Sequence, residues 1–307
     1  MGDDREVAAL SDVAWSPGAG AARTAALKRA RSGVRISVCL PARDEEATIG
    51  TIVSSISREL TAESGGVDLV DEILVVDDGS RDATGRIARS AGARVVATAP
   101  GSAGKGQAMR VALERSEGEV VVFLDADVRS FGTHYVTELV GPLLADEGVA
   151  LVKGFYERPL EGRPGEGGRV TELVARPAID LLFPHLEGIR QPLAGESAAW
   201  RSVLDKVGLA DGYGVELALL VDVADHFGVG SIAQADLGVR VHRNRPLSEL
   251  RHQATEVLRV ALERAAMRDA PRSGSRADQA GTTRHELGPG SAGAPRRSPG
   301  RSERGRP

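Results

Sequence analysis

Residues 119–127 read EVVVFLDAD, a Val-rich run closed by two carboxylates one residue apart. An unbroken apolar run of this kind predicts a strand buried on both faces, as in a parallel sheet covered by helices on each side. Ligands of such sheets bind at the carboxyl ends of the strands. Asp125 and Asp127 are therefore expected at a binding edge. Alternation along the strand would turn both acids to one side and Ala126 to the other. Two like charges so close call for a cation, and Mg2+ takes one or two carboxylates together with phosphate oxygens. An isolated Asp-Ala-Asp also fits a solvated strand end or a helix cap, so the surroundings must decide.

Outward from this stretch the same grammar repeats. VRISVCLPA (34–42) reads as a strand, and the helix expected in EATIGTIVSSISREL (46–60) sets Ile49, Ile52, Val53, Ile56 and Leu60 on one face. VDEILVVDDGS (70–80) is a second strand with its turn, followed by a helix that Ser80 or Asp82 could cap. ARVVATA (93–99) is a third strand, and KGQAMRVALERSEG (105–118) the helix before EVVVFLDAD. The strand ends collect Pro41, Ala42, Arg43, Asp44 and Glu45, then Asp77 and Asp78, then Asp125 and Asp127. Lys105, flanked by glycines at a helix start, can meet a phosphate together with backbone N–H groups. The same segment lacks the first glycine and the hydroxyl of a P-loop, since Ala99 and Gly106 stand there. PARDEE stands where a dinucleotide fold carries its glycine-rich turn, and a nucleotidylyltransferase its Gly- and Arg-containing loop.

Composition bounds the rest. The 307 residues are 41% apolar, enough for a core, and the net charge of −4 gives no reason to expect nucleic acid. Cys39, the lone cysteine, sits inside an apolar run and reads as a small core residue. No stretch approaches the ~20 apolar residues of a membrane span, and no signal peptide opens the chain, so a cytoplasmic protein without membrane contact is expected. Residues 1–32 lack sustained periodicity and read as a flexible arm, although AARTAALKRARS (21–32) could form a short helix. Residues 269–307 are rich in Gly, Pro, Ser and Arg and read as a disordered basic tail. The folded domain is expected over 33–268, with a nucleotide-sugar half at 33–130 and an acceptor half at 131–268.

LPARDEEATIG, VVDDGSRDAT, GKGQAM and VVFLDAD, in this order, resemble the nucleotide-sugar half of GT-A glycosyltransferases. LVKGFYERPL, GGRVTELVARP, QPLAGESAAW, GYGVELALLVDV and QADLGVRVHRNRPL are similar to the glucosyl-3-phosphoglycerate synthase family. The resemblance covers roughly residues 34 to 265 and implies an α/β fold of GT-A type with a Rossmann-like, mostly parallel sheet. It implies an enzyme that moves glucose from UDP-glucose to 3-phosphoglycerate with retention, as a homodimer. PARDEE, DDGS and GESAAW depart from the forms associated with that family, which leaves the donor base, the hexose and the acceptor open. A polyprenyl-phosphate glycosyltransferase and a non-catalytic nucleotide-sugar-binding regulator are the alternative readings.

Carried over residue by residue, the resemblance puts Pro41, Ala42, Glu45 and Asp78 around the uridine and Lys105 at the nucleotide's charged side. Asp125 would hold the ribose or the nearby sugar. Asp127 would bind the metal with His242; Mg2+ is the expected ion, and because imidazole suits Mn2+ better than Mg2+, a mixed pair predicts that either ion is tolerated. Tyr213 and Glu216 would border the transferred sugar, with Glu216 on its hydroxyls. Gly168, Arg169 and Thr171 would hold the acceptor phosphate with help from Asn244. Arg245 would stabilise the leaving diphosphate, and Arg240 and Arg243 would add cations for phosphates.

Overall fold

A computed structural model of the chain describes residues 20–31, 34–99, 101, 104–157, 168–240 and 247–269. The elements run α1 (Gly20–Ala30), β1 (Ile36–Ala42), α2 (Ile49–Leu60), β2 (Glu72–Asp77), α3 (Thr84–Ser90), β3 (Arg94–Ala97), α4 (Lys105–Arg115) and β4 (Val120–Phe123). They continue as α5 (His134–Ala145), β5 (Leu151–Glu157), α6 (Arg176–Leu182), β6 (Ser197–Trp200), α7 (Arg201–Val207), α8 (Val215–Phe227), β7 (Ile232–Val239) and α9 (Leu247–Asp269). All belong to the unit that ends at Asp269.

Period-two alternation in the strands builds two cores, one on each face of a single sheet. Ile36, Val38 and Leu40 of β1, with Val120 and Val122 of β4, face a cluster completed by α1, α2 and α5. Cys39, Val121 and Phe123 face the opposite cluster, completed by α4, α6, α7, α8 and α9. The buried residues of α2 are the expected Ile49, Ile52, Val53, Ile56 and Leu60, each worth about 1.5–3 kcal/mol of apolar burial. Burial pushes the Cys39 thiol up to about 12, which leaves it an inert core residue.

The strand order is β3-β2-β1-β4-β6-β5-β7. Neighbours are parallel except β6, which runs antiparallel to both β4 and β5. The two expected halves therefore meet inside one sheet, where β4 pairs with β6.

Three expectations are corrected. Residues 20–30, assigned to a flexible arm, form α1 packed against α5. Thr24 and Ala25 are buried, Lys28 Nζ lies 2.8 Å from Asp71 Oδ2, and Arg31 Nε donates to Leu144 O at 2.7 Å. Its apolar contact is small, Ala25 in the core with Ala21 and Leu27 against it, and ion pairs and a carbonyl contact add to it, which is why periodicity gave it no weight. The strand expected to reach Asp127 ends at Phe123; Leu124 N–H still donates to Cys39 O of β1 at 3.0 Å, and residues 125–127 turn away. Finally, neither Ser80 nor Asp82 is the cap residue of α3, a place taken by Ala83 without a side-chain cap bond. The Ser80 hydroxyl accepts from Asp44 N–H at 3.1 Å, while Asp82 accepts from Thr84 N–H at 2.9 Å. Residues 1–19 of the arm and 270–307 of the tail lie outside the described residues.

Candidate active site

The cleft at the carboxyl end of β1, β2 and β4 is assembled from loops that the sheet brings together. The β1 loop and the β2 loop are laced to each other. Glu45 N–H donates to Thr84 Oγ1 at 2.8 Å, Arg81 N–H to Asp44 Oδ1 at 2.7 Å, and Ala83 N–H to Glu46 Oε2 at 2.9 Å. Asp44 takes a φ of 56°, a left-handed conformation that its short polar side chain tolerates. This lacing sets Pro41, Ala42, Arg43 and Glu45 along one wall. Asp78 fixes the next wall, because its carboxylate accepts from Thr98 Oγ1 and from Gly104 N–H, both at 3.0 Å. It thereby anchors the start of α4 and aims Lys105 inward.

Asp125 and Asp127 lie on one side, as expected, but the turn after β4 arranges this and not strand alternation. Ala126 is buried between them, and its carbonyl accepts from Thr48 Oγ1 of the α2 entry at 2.6 Å. Lys105 Nζ lies 2.7 Å from Asp125 Oδ1 and 2.5 Å from Glu216 Oε1, in the first turn of α8. Burial works against the Lys105 ammonium, and Asp125 and Glu216 outweigh it, so its pKa stands above the ordinary lysine range. Burial likewise opposes the Asp125 charge, yet Lys105 and Arg240 hold its carboxyl well below the usual carboxylate range. Both groups are therefore charged at neutral pH.

Arg240 departs from its expected role. It is only 2% exposed and is spent on carboxylates rather than offered to phosphates. Nη1 lies 2.9 Å from Asp125 Oδ2 and 2.6 Å from Glu196 Oε1, while Nη2 lies 2.6 Å from Asp127 Oδ1. Burial opposes its charge, and Glu196 leads the groups that raise its pKa well above the ordinary arginine value.

The opposite wall comes from the second half. Gly168, at a φ of 82°, precedes a π-helical turn over Thr171–Ala175, and Gly168, Arg169 and Thr171 all line the cleft. Tyr213 is half-buried at its rim, with N–H donating to Glu256 Oε2 of α9 at 2.5 Å. Every described residue of the expected site lines one cleft of about 520 Å³: Pro41, Ala42, Glu45, Asp78, Lys105, Asp125, Asp127, Gly168, Arg169, Thr171, Tyr213 and Glu216. That size is typical of a small-molecule site. His242, Asn244 and Arg245, with Arg243, lie outside the described residues.

Sequence reasoning missed Gly195, Glu196, Lys153 and Glu256. A Cβ at Gly195 would fall into the ion pair of Lys105 and Asp125, so only glycine lets the chain pass there before β6. Lys153 is buried in β5, with Nζ donating to Ala194 O at 2.6 Å; burial pushes its pKa down to about 8 against the pull of Glu216. A lysine inside the apolar run LVKGF was the legible signal.

The donor set bears on a metal. Among the described residues no group of three or more His, Cys, Asp or Glu side chains gathers around one point. Asp127 nevertheless keeps its side chain 33% exposed beside Asp125, with one oxygen taken by Arg240. One carboxylate open to a cleft fits a divalent ion that completes its shell with phosphate oxygens and water.

Comparison with known proteins agrees with this arrangement. Residues 37–189 match the model of the glycosyl transferase family 2. The glucosyl-3-phosphoglycerate synthase of Mycolicibacterium paratuberculosis is 47% identical over 276 residues, covering 85% of this chain and 81% of the relative. A crystal structure of the Mycobacterium tuberculosis glucosyl-3-phosphoglycerate synthase in complex with Mn2+, UDP-glucose and phosphoglyceric acid superimposes with a TM-score of 0.74 at 44% identity. That match covers 83% of this chain and 87% of the other. A second structure from the same organism, with Mn2+, UDP and glucosyl-3-phosphoglycerate, matches equally well at a TM-score of 0.74. With its mixed seven-stranded sheet of GT-A type and a cleft built from these motifs, this chain belongs to the glucosyl-3-phosphoglycerate synthase family.

Proposed function

We propose that this enzyme transfers glucose from UDP-glucose to 3-phosphoglycerate, giving glucosyl-3-phosphoglycerate, with a divalent metal and with retention of the α anomer. The observation that carries this reading is the single cleft, which gathers donor-side residues from the first half and acceptor-side residues from the second. The relatives that share 44–47% of the sequence act on, or are bound to, these molecules by name.

Pro41, Ala42, Glu45 and Asp78 form the pocket for the uridine, and Asp125 and Tyr213 border the ribose and sugar. Asp127, with His242 as second ligand, holds the metal, and Mg2+ and Mn2+ both suit that pair. The metal supplies positive charge where the leaving diphosphate becomes negative. Lys105, kept protonated by its two carboxylate neighbours, and Arg245 add cationic charge on the same side. Glu216 and Asp125 orient the glucose. Gly168, Arg169, Thr171 and Asn244 grip the acceptor phosphate, where the planar guanidinium supplies two parallel donors. Attack comes from the face the diphosphate leaves, with the departing diphosphate taking the acceptor hydroxyl proton.

The same reading makes the enzyme a cytoplasmic homodimer that binds no nucleic acid. Its supports are the lone buried thiol, the net charge of −4, and the exposed Leu258 and Leu262 one turn apart on α9. No described helix is long and apolar enough to cross a membrane. Sedimentation of the purified chain checks the dimer.

Mass spectrometry after incubation with UDP-glucose, 3-phosphoglycerate and Mg2+ or Mn2+ tests the reaction. The expected product is glucosyl-phosphoglycerate, formed only with acceptor and metal. UDP release without acceptor, or no product, overturns the assignment. Arg169→Ala should raise KM for 3-phosphoglycerate about 10- to 100-fold with little change in kcat, the signature of lost uniform binding.

A further inference from the structure

Glu196 and Tyr156 stand behind the cleft and do not line it. Glu196 is fully enclosed just before β6, and Tyr156 is buried in β5. An enclosed carboxylate persists only with charged partners; this one hydrogen-bonds Arg240, with the buried Lys153 ammonium nearby. Nη1 of Arg240 donates to Glu196 Oε1 at 2.6 Å and to Tyr156 Oη at 2.9 Å. The guanidinium carbon also sits 5.1 Å from the centre of the Tyr156 ring. A guanidinium is rigid and planar, so anchoring one terminal nitrogen fixes where the other points. The other points at Asp127, with Nη2 donating to Oδ1 at 2.6 Å.

We propose that Glu196 and Tyr156 are positioning residues that act through Arg240 to orient Asp127 toward the metal and diphosphate. The proposal rests on the reading of Asp127 as a metal ligand. Groups that hold a ligand in place fix its orientation, and their loss weakens metal binding about 10- to 100-fold. Removing the anchor acts twice in the same direction. It lets the Asp127 carboxylate swing, and it leaves the guanidinium charge shared only by Asp125 and Asp127, so that Arg240 competes more strongly with the ion.

Titration of Mn2+ into the full chain in the presence of UDP, with free Mn2+ read by electron paramagnetic resonance, tests this without turnover. Glu196→Gln keeps the shape and removes the charge, while Tyr156→Phe removes only the hydroxyl. The expected result is a Mn2+ dissociation constant raised about 10- to 100-fold in Glu196→Gln and about fivefold in Tyr156→Phe. Affinity for UDP without metal should not move, which a general loss of structure would not allow. Wild-type Mn2+ affinity in the folded variants overturns the proposal, and if Glu196→Gln does not fold, Tyr156→Phe decides alone. If the unaltered chain binds no Mn2+ with UDP, the assignment of Asp127 falls and takes this proposal with it; binding that is equal in all three chains removes only the positioning role.

Discussion

At the ends of β1 and β2 the cleft wall is stitched by hydrogen bonds between backbone amides and short side chains, many of them open to water. Behind β4, on β5 and beside β6 and β7, it is held by enclosed charges instead, with Lys153, Glu196 and Arg240 all nearly inaccessible. The difference lies in what each can lose. An exposed hydrogen bond contributes about 0.5–1.5 kcal/mol net, and its neighbours keep the loop in place when it goes. A buried charge that loses its partner is left uncompensated, at a cost of roughly 3–5 kcal/mol. The first wall should thus be robust to single changes and the second brittle.

The largest effect is expected at the point where the enclosed network reaches the cleft. Asp127→Ala should lower kcat roughly 100- to 1,000-fold with an unchanged circular dichroism spectrum, and a chelator should do the same to the unaltered enzyme. A rate near normal would detach the network from the chemistry.

Lys153 tests the enclosure itself through pH. Its pKa falls from 10.5 in the unfolded chain to about 8 in the folded one. Between those values the unfolded chain holds a proton that the folded chain has released, so stability rises with pH across that window. The gain, taken as the difference from Lys153→Met in urea unfolding, should reach about 3 kcal/mol between pH 8 and 10.5. Parallel curves for the two proteins would mean that the amine is not enclosed.

Gly195→Ala drives a methyl group between Lys105 and Asp125. A displacement of that order should lower kcat/KM for UDP-glucose about 10- to 100-fold, measured by UDP release. Unaltered kinetics would show that the ion pair can shift freely, contrary to the brittle picture.

The smallest effect belongs to the laced wall. Asp82 accepts from Thr84 N–H and from Glu46 N–H at 2.9 and 3.1 Å, and Asp82→Ala should cost about 1 kcal/mol of stability with activity retained. A loss of several kcal/mol would erase the contrast between the walls.

The first wall was legible in the sequence because its residues follow strands that announce themselves. Pro41, Glu45 and Asp78 each stand at or just after the end of an apolar run, and a parallel sheet brings such ends to one edge. Arg240 shows the opposite case. Beside His242 and Arg245 in the chain it read as one more phosphate cation, yet the fold turns it inward to three carboxylates. No spacing connects Glu196 to Arg240, 44 residues away. A short helix at 21–32 was legible, but its docking was missed for the same reason, since Asp71 and Leu144, which help to hold it, are remote in sequence.

By itself, then, the sequence determined the alternation of strands and helices, the apolar faces that build two cores, and the chemistry of the strand-end loops. Those properties follow from local periodicity and from the rule that binding edges lie at the carboxyl ends of parallel strands. Only the tertiary structure decided which charges face the cleft and which face one another. A carboxylate and a guanidinium can be enclosed only as partners, and partnership depends on distances in space that the order of residues does not record.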